Sequence, residues 1–400
     1  MASAPAPAPA LAAPTLPVDI LEDIFLRLHE AADLARASAV CSSFRRAACD
    51  RGFLRRFRSL HPPPVLGVLA FENPGVLLHA KPPHRSAPAA RALAQAADFS
   101  FSFVPRGPNY GNRVWRVWDA LDGRVLLSMN RYRNTALEDL VVCDPLHRRY
   151  VQIPPTPGEL VASNRCHDDV DFEPFLAPAL KEEEMHELSF RVICNVRSSY
   201  KVVTLVFSSV TANWRGATSI SFLPDRLVDN PRSLVRYYVR GCFYWTCASV
   251  KHMLLLDPRE MKLTLVKLPH IELPRFNHKL PVIVDAGEDK LGVVTVGYMN
   301  NTLDLDCKTW WNNDDGMEDW QHKIIPLPEL GYEWYIKGAA DSYLLLKVIR
   351  KGSEIPKQVF YILEVKTLSF ERLHVSVSDM GFGPPRFFAS FPPPLSLPTI

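Results

Sequence analysis

The sequence contains no run of eighteen apolar residues, so no stretch is long enough to cross a bilayer as a helix. Its eight cysteines form no CxxC pair and no close framework, and Cys143, Cys194 and Cys242 sit inside apolar runs. Buried, reduced thiols of an intracellular protein are expected from that pattern. The opening tract MASAPAPAPALAAPT has no basic region, and no arginine precedes Arg27, which argues against a cleaved secretory or plastid leader. Formal net charge is +3, close to balance, so nothing global points to nucleic acid or an anionic membrane as partner. These absences lead to the expectation of a nuclear or cytoplasmic protein.

Signatures of catalysis are missing too. The chain has no GxSxG and no HExxH, and the Gly107–Gly111 stretch is not followed by the Gly-Lys-Ser/Thr of a phosphate cradle. His167, Asp168, Asp169 and Asp171 are too close in sequence to turn together toward one ion, so a solvated acidic loop is expected there. The run Lys181–Glu187 reads as another exposed charge loop. Trp310–Trp320 is acidic and aromatic but lacks the alternating oxygen ligands of a calcium loop, and reads as a connection between strands. The expectation is a non-catalytic chain with no catalytic residue, no metal and no cofactor.

Proline is in excess, at 35 of 400 residues against a usual share of about 5%. The prolines recur after apolar runs, as suits many short strands punctuated by turns. The first sixty residues differ. Residues 1–15 form an Ala/Pro tail expected to be disordered, and residues 16–60 read as a helical module. At 100° per residue, Val18, Ile20, Leu21, Ile24, Phe25 and Leu28 fall within an arc of about 160°, wider than the ~100° stripe one core requires. Pro17 suits the first turn, where its missing N–H has no partner to lose. A second helix is expected over Ala31–Val40 and a third from Cys41 through an Arg-rich run to Phe57. Arg45, Arg46, Arg51, Arg55, Arg56 and Arg58 are read as a cationic solvent face, with Asp50 interrupting any nucleic-acid stripe. About forty residues rarely bury enough surface alone. Either this module docks on the rest of the chain or its spare apolar edge belongs to another protein.

The prolines of 61–64 form a linker, after which the period changes. Short β-branched and aromatic runs begin at Val65, and Asp122-Gly123 between two of them is a strong hairpin signal. Residues 72–97 are Ala/Pro-rich without period and are expected to be a mobile insertion. Three units read as strand, turn, strand, acidic turn, strand, with glycines Gly241, Gly292 and Gly338 near their starts; residues 139–155 repeat the closing half. A period near ~50 residues is the signature of a β-propeller of the kelch class. Six or seven blades over 65–391 are expected, with a β-sandwich as the alternative and 392–400 as a Pro-rich tail.

The helical module then becomes recognisable. Leu16-Pro17 opens a helix carrying Ile20, Leu21, Ile24 and Leu28, and Asp33-Leu34 starts the next. Val40-Cys41-Ser42-Ser43-Phe44-Arg45 follows at the spacing of V-C-[KR]-x-W-[KR], with Ser42 where a base is common and Phe44 in place of Trp. This resembles an F-box. The remainder resembles the F-box-associated β-propeller of large plant families, on FSSVTANW (207–214), GCFYW (241–245) before LLLDP (254–258), and LPVIVDAGEDKLGVV (280–294) before IPLP (325–328).

The resemblance implies a small three-helix F-box followed by a large all-β propeller. It implies a partner, the Skp-family adaptor, and through it a cullin scaffold. The chain would be a substrate-recognition subunit that tethers a protein for ubiquitination and proteasomal degradation. Position by position, the implied adaptor contacts are Leu16, Pro17, Ile20, Leu21, Ile24, Leu28, Leu34, Val40, Cys41 and Phe44. The alternatives are a non-ligase interaction scaffold and a propeller enzyme.

Overall fold

The computed structural model describes residues 16–28, 31–61, 63–70, 77–105, 114–129, 139–161, 170–178, 188–222, 230–246, 252–268, 281–297, 302–309, 320–328, 332–350, 358–376, 385–391, 393–395 and 399–400. The chain divides into two compact units. One comprises residues 1–64 with 391–396; the other comprises 65–390 with 397–400.

The first unit is helical: α1 (Val18–Leu26), α2 (Ala31–Ser38), α3 (Ser42–Ala48) and α4 (Arg51–Leu60). Pro17 stands at the capping position of α1, and its carbonyl accepts the Leu21 N–H at 3.1 Å. The wide apolar arc of α1 is split between two surroundings. Leu21 and Phe25, at its centre, are buried; Ile20 and Ile24, along one edge, are exposed. Phe25 packs edge-on against Phe44 at 5.4 Å and Phe53 at 6.2 Å, and Phe53 lies 6.0 Å from Phe57. This aromatic row is the core of a unit too small to have a deep one.

The third expected helix is two helices. Asp50 adopts an extended backbone (φ −62°, ψ 135°), and its carboxylate accepts the Phe53 N–H at 2.9 Å. The same residue that ends one helical path thus caps the next. We expect Asp50→Ala to lower the stability of the helical unit by about 1 kcal/mol, with Asp50→Asn restoring most of it. The 222 nm melting signal measures both.

The second unit is a six-bladed β-propeller. Its first blade holds β1 (Val65–Leu69), β2 (Leu77–His79) and, from the far end of the chain, β23 (Arg386–Ala389). Four-stranded meanders follow in chain order. The second blade is β3 (Arg116–Leu121), β4 (Arg124–Ser128), β5 (Val141–Asp144) and β6 (Arg149–Gln152). The third is β7 (Asp171–Ala177), β8 (Arg191–Arg197), β9 (Lys201–Ser208) and β10 (Asn213–Ser221). The fourth is β11 (Val235–Val239), β12 (Cys242–Thr246), β13 (His252–Asp257) and β14 (Lys262–Lys267). The fifth is β15 (Val282–Gly287), β16 (Lys290–Val296), β17 (Thr302–Thr309) and β18 (Gln321–Pro326). The sixth is β19 (Tyr332–Ala340), β20 (Tyr343–Arg350), β21 (Gln358–Glu364) and β22 (Ser369–Ser376).

β23, β3, β7, β11, β15 and β19 meet one another between blades, so the innermost strand of each blade, the leading one in blades two to six and β23 in the first, lines the axis. That arrangement replaces the sandwich alternative. Within FFASF (387–391), Phe387–Ala389 closes the ring, since β23 pairs antiparallel with β1 through Val65↔Ala389, Gly67↔Phe388 and Val68↔Phe387, whereas Phe391 belongs to the helical unit. Gly67 is needed on the other side of β1, against β2: a Cβ there would lie 2.7 Å from the Leu78 carbonyl oxygen and 2.9 Å from the His79 Cα.

Two turns give the repeat its phase. Strands one and two of a blade are joined by left-handed residues: Asp122-Gly123 (φ 51°, 79°), Arg240-Gly241 (51°, 79°) and Glu288-Asp289 (47°, 57°). Strands three and four are joined after a carboxylate that accepts backbone N–H groups. Asp144 takes those of Leu146 and His147, both at 3.1 Å, and Asp257 takes that of Arg259 at 2.8 Å. The three marker glycines are not equivalent: Gly241 is in a turn, whereas Gly292 lies inside β16 and Gly338 inside β19. Each blade therefore begins one strand earlier than the sequence units suggest.

The expected insertion over 72–97 is also corrected. It carries β2 and a helix, α5 (Ala87–Ala96), whose Ala90 and Leu93 join the buried cluster around Phe99 and Phe101. A short helix, α6 (Gly158–Val161), precedes the third blade. Among the described residues, no helix is long and apolar enough to cross a membrane.

Candidate functional site

The ten implied contact residues fall into three settings. Leu16 (49% exposed), Pro17, Ile20 (47%) and Ile24 (45%) lie open along the start and one edge of α1. Val40 (71%) and Cys41 are open at the turn between α2 and α3. Leu28 and Phe44 are half-buried, while Leu21 and Leu34 lie in the interior of the unit and offer no surface. Val18 belongs with the open group although it was not among the ten; its place in the apolar arc was the available signal. The two open stretches are joined inside the unit by the Phe25–Phe44 contact.

Cys41 has a second task. Its thiol caps α3 by accepting the Phe44 N–H at 3.5 Å, and its sulfur lies 3.0 Å from the Ser43 hydroxyl. The Ser43 hydroxyl first, and the Phe44 N–H after it, hold the thiol below its ordinary pKa. Beside it, Ala39, Cys41, Ser42, Arg45, Arg46 and Cys49 line a groove of about 480 Å³. Arg45 and Arg46 are exposed in it, and among the described residues neither has an ion-pair partner. By contrast, Arg36 is paired with Asp33, and Arg56 with Glu22 at 2.9 Å. The arrangement therefore offers aliphatic surface next to two uncommitted guanidinium groups.

In the propeller, ionisable groups gather on the inner strands but are closed upon one another. Glu173 on β7 accepts from Trp245 Nε1 at 2.7 Å and lies 2.9 Å from Arg197 Nη1 and 3.3 Å from Arg236 Nε. Arg236 reaches Asp119 at 2.9 Å, and Arg197 also pairs with Asp171. Asp171, expected in a solvated acidic loop, is instead fully buried, because β7 is an axial strand. Burial by itself pulls the Arg197 guanidinium down, but Glu173 and Asp171 outweigh it and leave its pKa raised. Asp119 and Glu173 thus join different blades, while Asp171 ties β7 to β8 within the third.

Residues 107–111, 166–169, 181–187 and 310–319, where the other loop readings fall, lie outside the described residues, as does Tyr132. Among the described residues, no three His, Cys, Asp or Glu side chains gather as a metal site. The thiols of Cys143, Cys194 and Cys242 are free and buried.

Residues 13–61 match a protein family described as F-box-like. The N-terminal module is an F-box-like domain. The chain is thus a short helical F-box-like region followed by an all-β, six-bladed propeller. No curated protein matches it. Solved structures similar to it include a nidogen/laminin complex, at 13% identity and TM-score 0.34 over 66% of this chain and 80% of that one. TolB from Acinetobacter baumannii is similar at 11% identity and TM-score 0.34, over 67% of this chain and 55% of TolB. The SapL1 lectin in complex with alpha methyl fucoside is similar at 9% identity and TM-score 0.36, over 65% and 79%. At such scores these likenesses carry no argument; the blade count rests on the chain's own strand order. The open edge Leu16–Ile24 and the Val40–Cys41 turn both belong to the F-box-like domain.

Proposed function

We propose that the chain is the substrate-recognition subunit of a Skp/cullin/F-box ubiquitin ligase. The F-box-like domain docks on a Skp-family adaptor, and through it on a cullin scaffold, while the propeller presents a protein substrate. The chain itself makes and breaks no bond. Its contribution is proximity: holding the substrate beside a ubiquitin-charged enzyme replaces a bimolecular encounter by an intramolecular one at high effective concentration.

The observation that carries this reading is the exposed aliphatic edge of α1. A fully buried aliphatic side chain contributes about 1.5–3 kcal/mol relative to a fully exposed one, so half-exposed Ile20 and Ile24 each retain about half of that for a partner. Arg45 and Arg46, exposed and without an ion-pair partner among the described residues, offer charge complementarity to acidic groups of a partner.

The test is capture of a purified Skp-family adaptor by the full chain. Wild type should bind, and Ile20→Asp with Ile24→Asp should bind about 100-fold more weakly or worse, with unchanged melting. Leu21→Asp is the wrong probe, since Leu21 is only 3% exposed and a carboxylate there unfolds the unit. The reading is overturned if wild type ignores the adaptor or the double variant binds like wild type.

A further inference from the structure

The F-box-like match ends at residue 61, but the helical unit does not. Phe57 is completely buried, and one ring packed on it, 6.2 Å away and edge-on at 65°, is that of Phe391. The Arg58 guanidinium lies 4.9 Å from the centre of the same ring, and its Nη2 donates to the Leu395 carbonyl at 3.0 Å. Leu395 ends a 3-10 turn, Pro393–Leu395, which neighbours α2; its side chain is 1% exposed and that of Phe391 is 6% exposed. Phe391 thus extends the row Phe44, Phe25, Phe53, Phe57 by one ring.

We propose that Phe391 and Leu395 are positioning residues of the docking domain. They form a fifth element that holds α4 and α2 in place, and through the aromatic row they fix α1 and the edge it presents. The functional half of this inference rests on the adaptor reading; the structural half does not. Four short helices spanning about forty residues have little core of their own, and two large apolar side chains are a substantial addition to it. The chain makes the addition with little ordering. Val65 and Ala389 are register partners, so the segments that lead from them to Pro64 and to Phe391 start side by side.

Hydrogen exchange on the full chain tests the structural half, comparing wild type with Phe391→Ala plus Leu395→Ala. We expect amides of 53–60 and 31–38 to exchange about 30-fold faster or more, with 235–246 and 282–296 unchanged. Phe391→Leu should return most of the protection. Unchanged exchange in α4 overturns the proposal. Adaptor capture tests the functional half: the double variant should bind about tenfold more weakly, with Phe391→Leu restoring binding. Faster α4 exchange with wild-type capture overturns the positioning role. If wild type captures no adaptor, the ligase reading fails while the exchange result stands by itself. Should the double variant aggregate, Leu395→Ala alone is expected to give the same pattern at smaller amplitude, and unchanged α4 exchange in it overturns the proposal.

Discussion

Glu173→Ala is expected to destabilise the propeller by about 3–5 kcal/mol. Glu173 sits 3% exposed among two arginines and an indole N–H, and it joins β7 to β8, β11 and β12. Its removal leaves Asp119 and Asp171 to balance Arg197, Arg236 and the nearby Arg386 in a region with little solvent. An excess buried guanidinium charge has no remedy by deprotonation, because arginine stays charged. Glu173→Gln keeps the shape and the Trp245 hydrogen bond, so it should fall between wild type and alanine. Urea unfolding followed by tryptophan fluorescence measures the difference; a loss under about 1 kcal/mol would mean that the remaining groups rearrange or that water enters.

Phe388→Ala is the second large effect, again about 3–5 kcal/mol. The ring is 2% exposed, lies edge-on to Phe99 at 5.1 Å and 89°, and belongs to the four-residue strand that completes the first blade. A weakened β23 exposes the β1 edge, and unpaired strand edges associate. The expected result is therefore a lower unfolding midpoint together with oligomers on gel filtration. Monomeric behaviour with an unshifted midpoint would mean that the ring does not depend on this contact.

The two sites explain why some elements were legible in the sequence and others were not. Central strands of the later blades, such as Met253–Leu256 and Tyr343–Ile349, read as apolar runs because they pack between neighbours, with Lys347 the one charged residue in the two runs. The axial strands β7, β11 and β19 escaped. β7 contains Asp171, Glu173 and Pro174, and β11 contains Arg236, so each reads as a loop. The charges of β7 and β11 are matched by partners remote in sequence: Arg197 on the adjacent β8 for Asp171 and Glu173, and Asp119 and Glu173 on other blades for Arg236. Pro174 is tolerated because β7 is the edge of its sheet. α5 was hidden for a different reason: APAARALAQA has one leucine, and its packing by alanines gives almost no period. In the F-box-like domain, periodicity placed the arc on α1 but could not say which edge faces inward. Leu21 and Ile24 are alike as residues; only the positions of α3 and α4 make one interior and the other open.

The seam between β1 and β23 also sets a timetable for synthesis. β1 is made first among the strands and its partner last. At roughly 5–20 residues per second, Val65 waits about 15–65 s before Ala389 exists. During that interval a wholly apolar strand, VLGVL, presents an unanswered edge. Any product that stops short of Arg386 keeps that edge open for good, so incomplete chains should be among the first to aggregate or to be cleared.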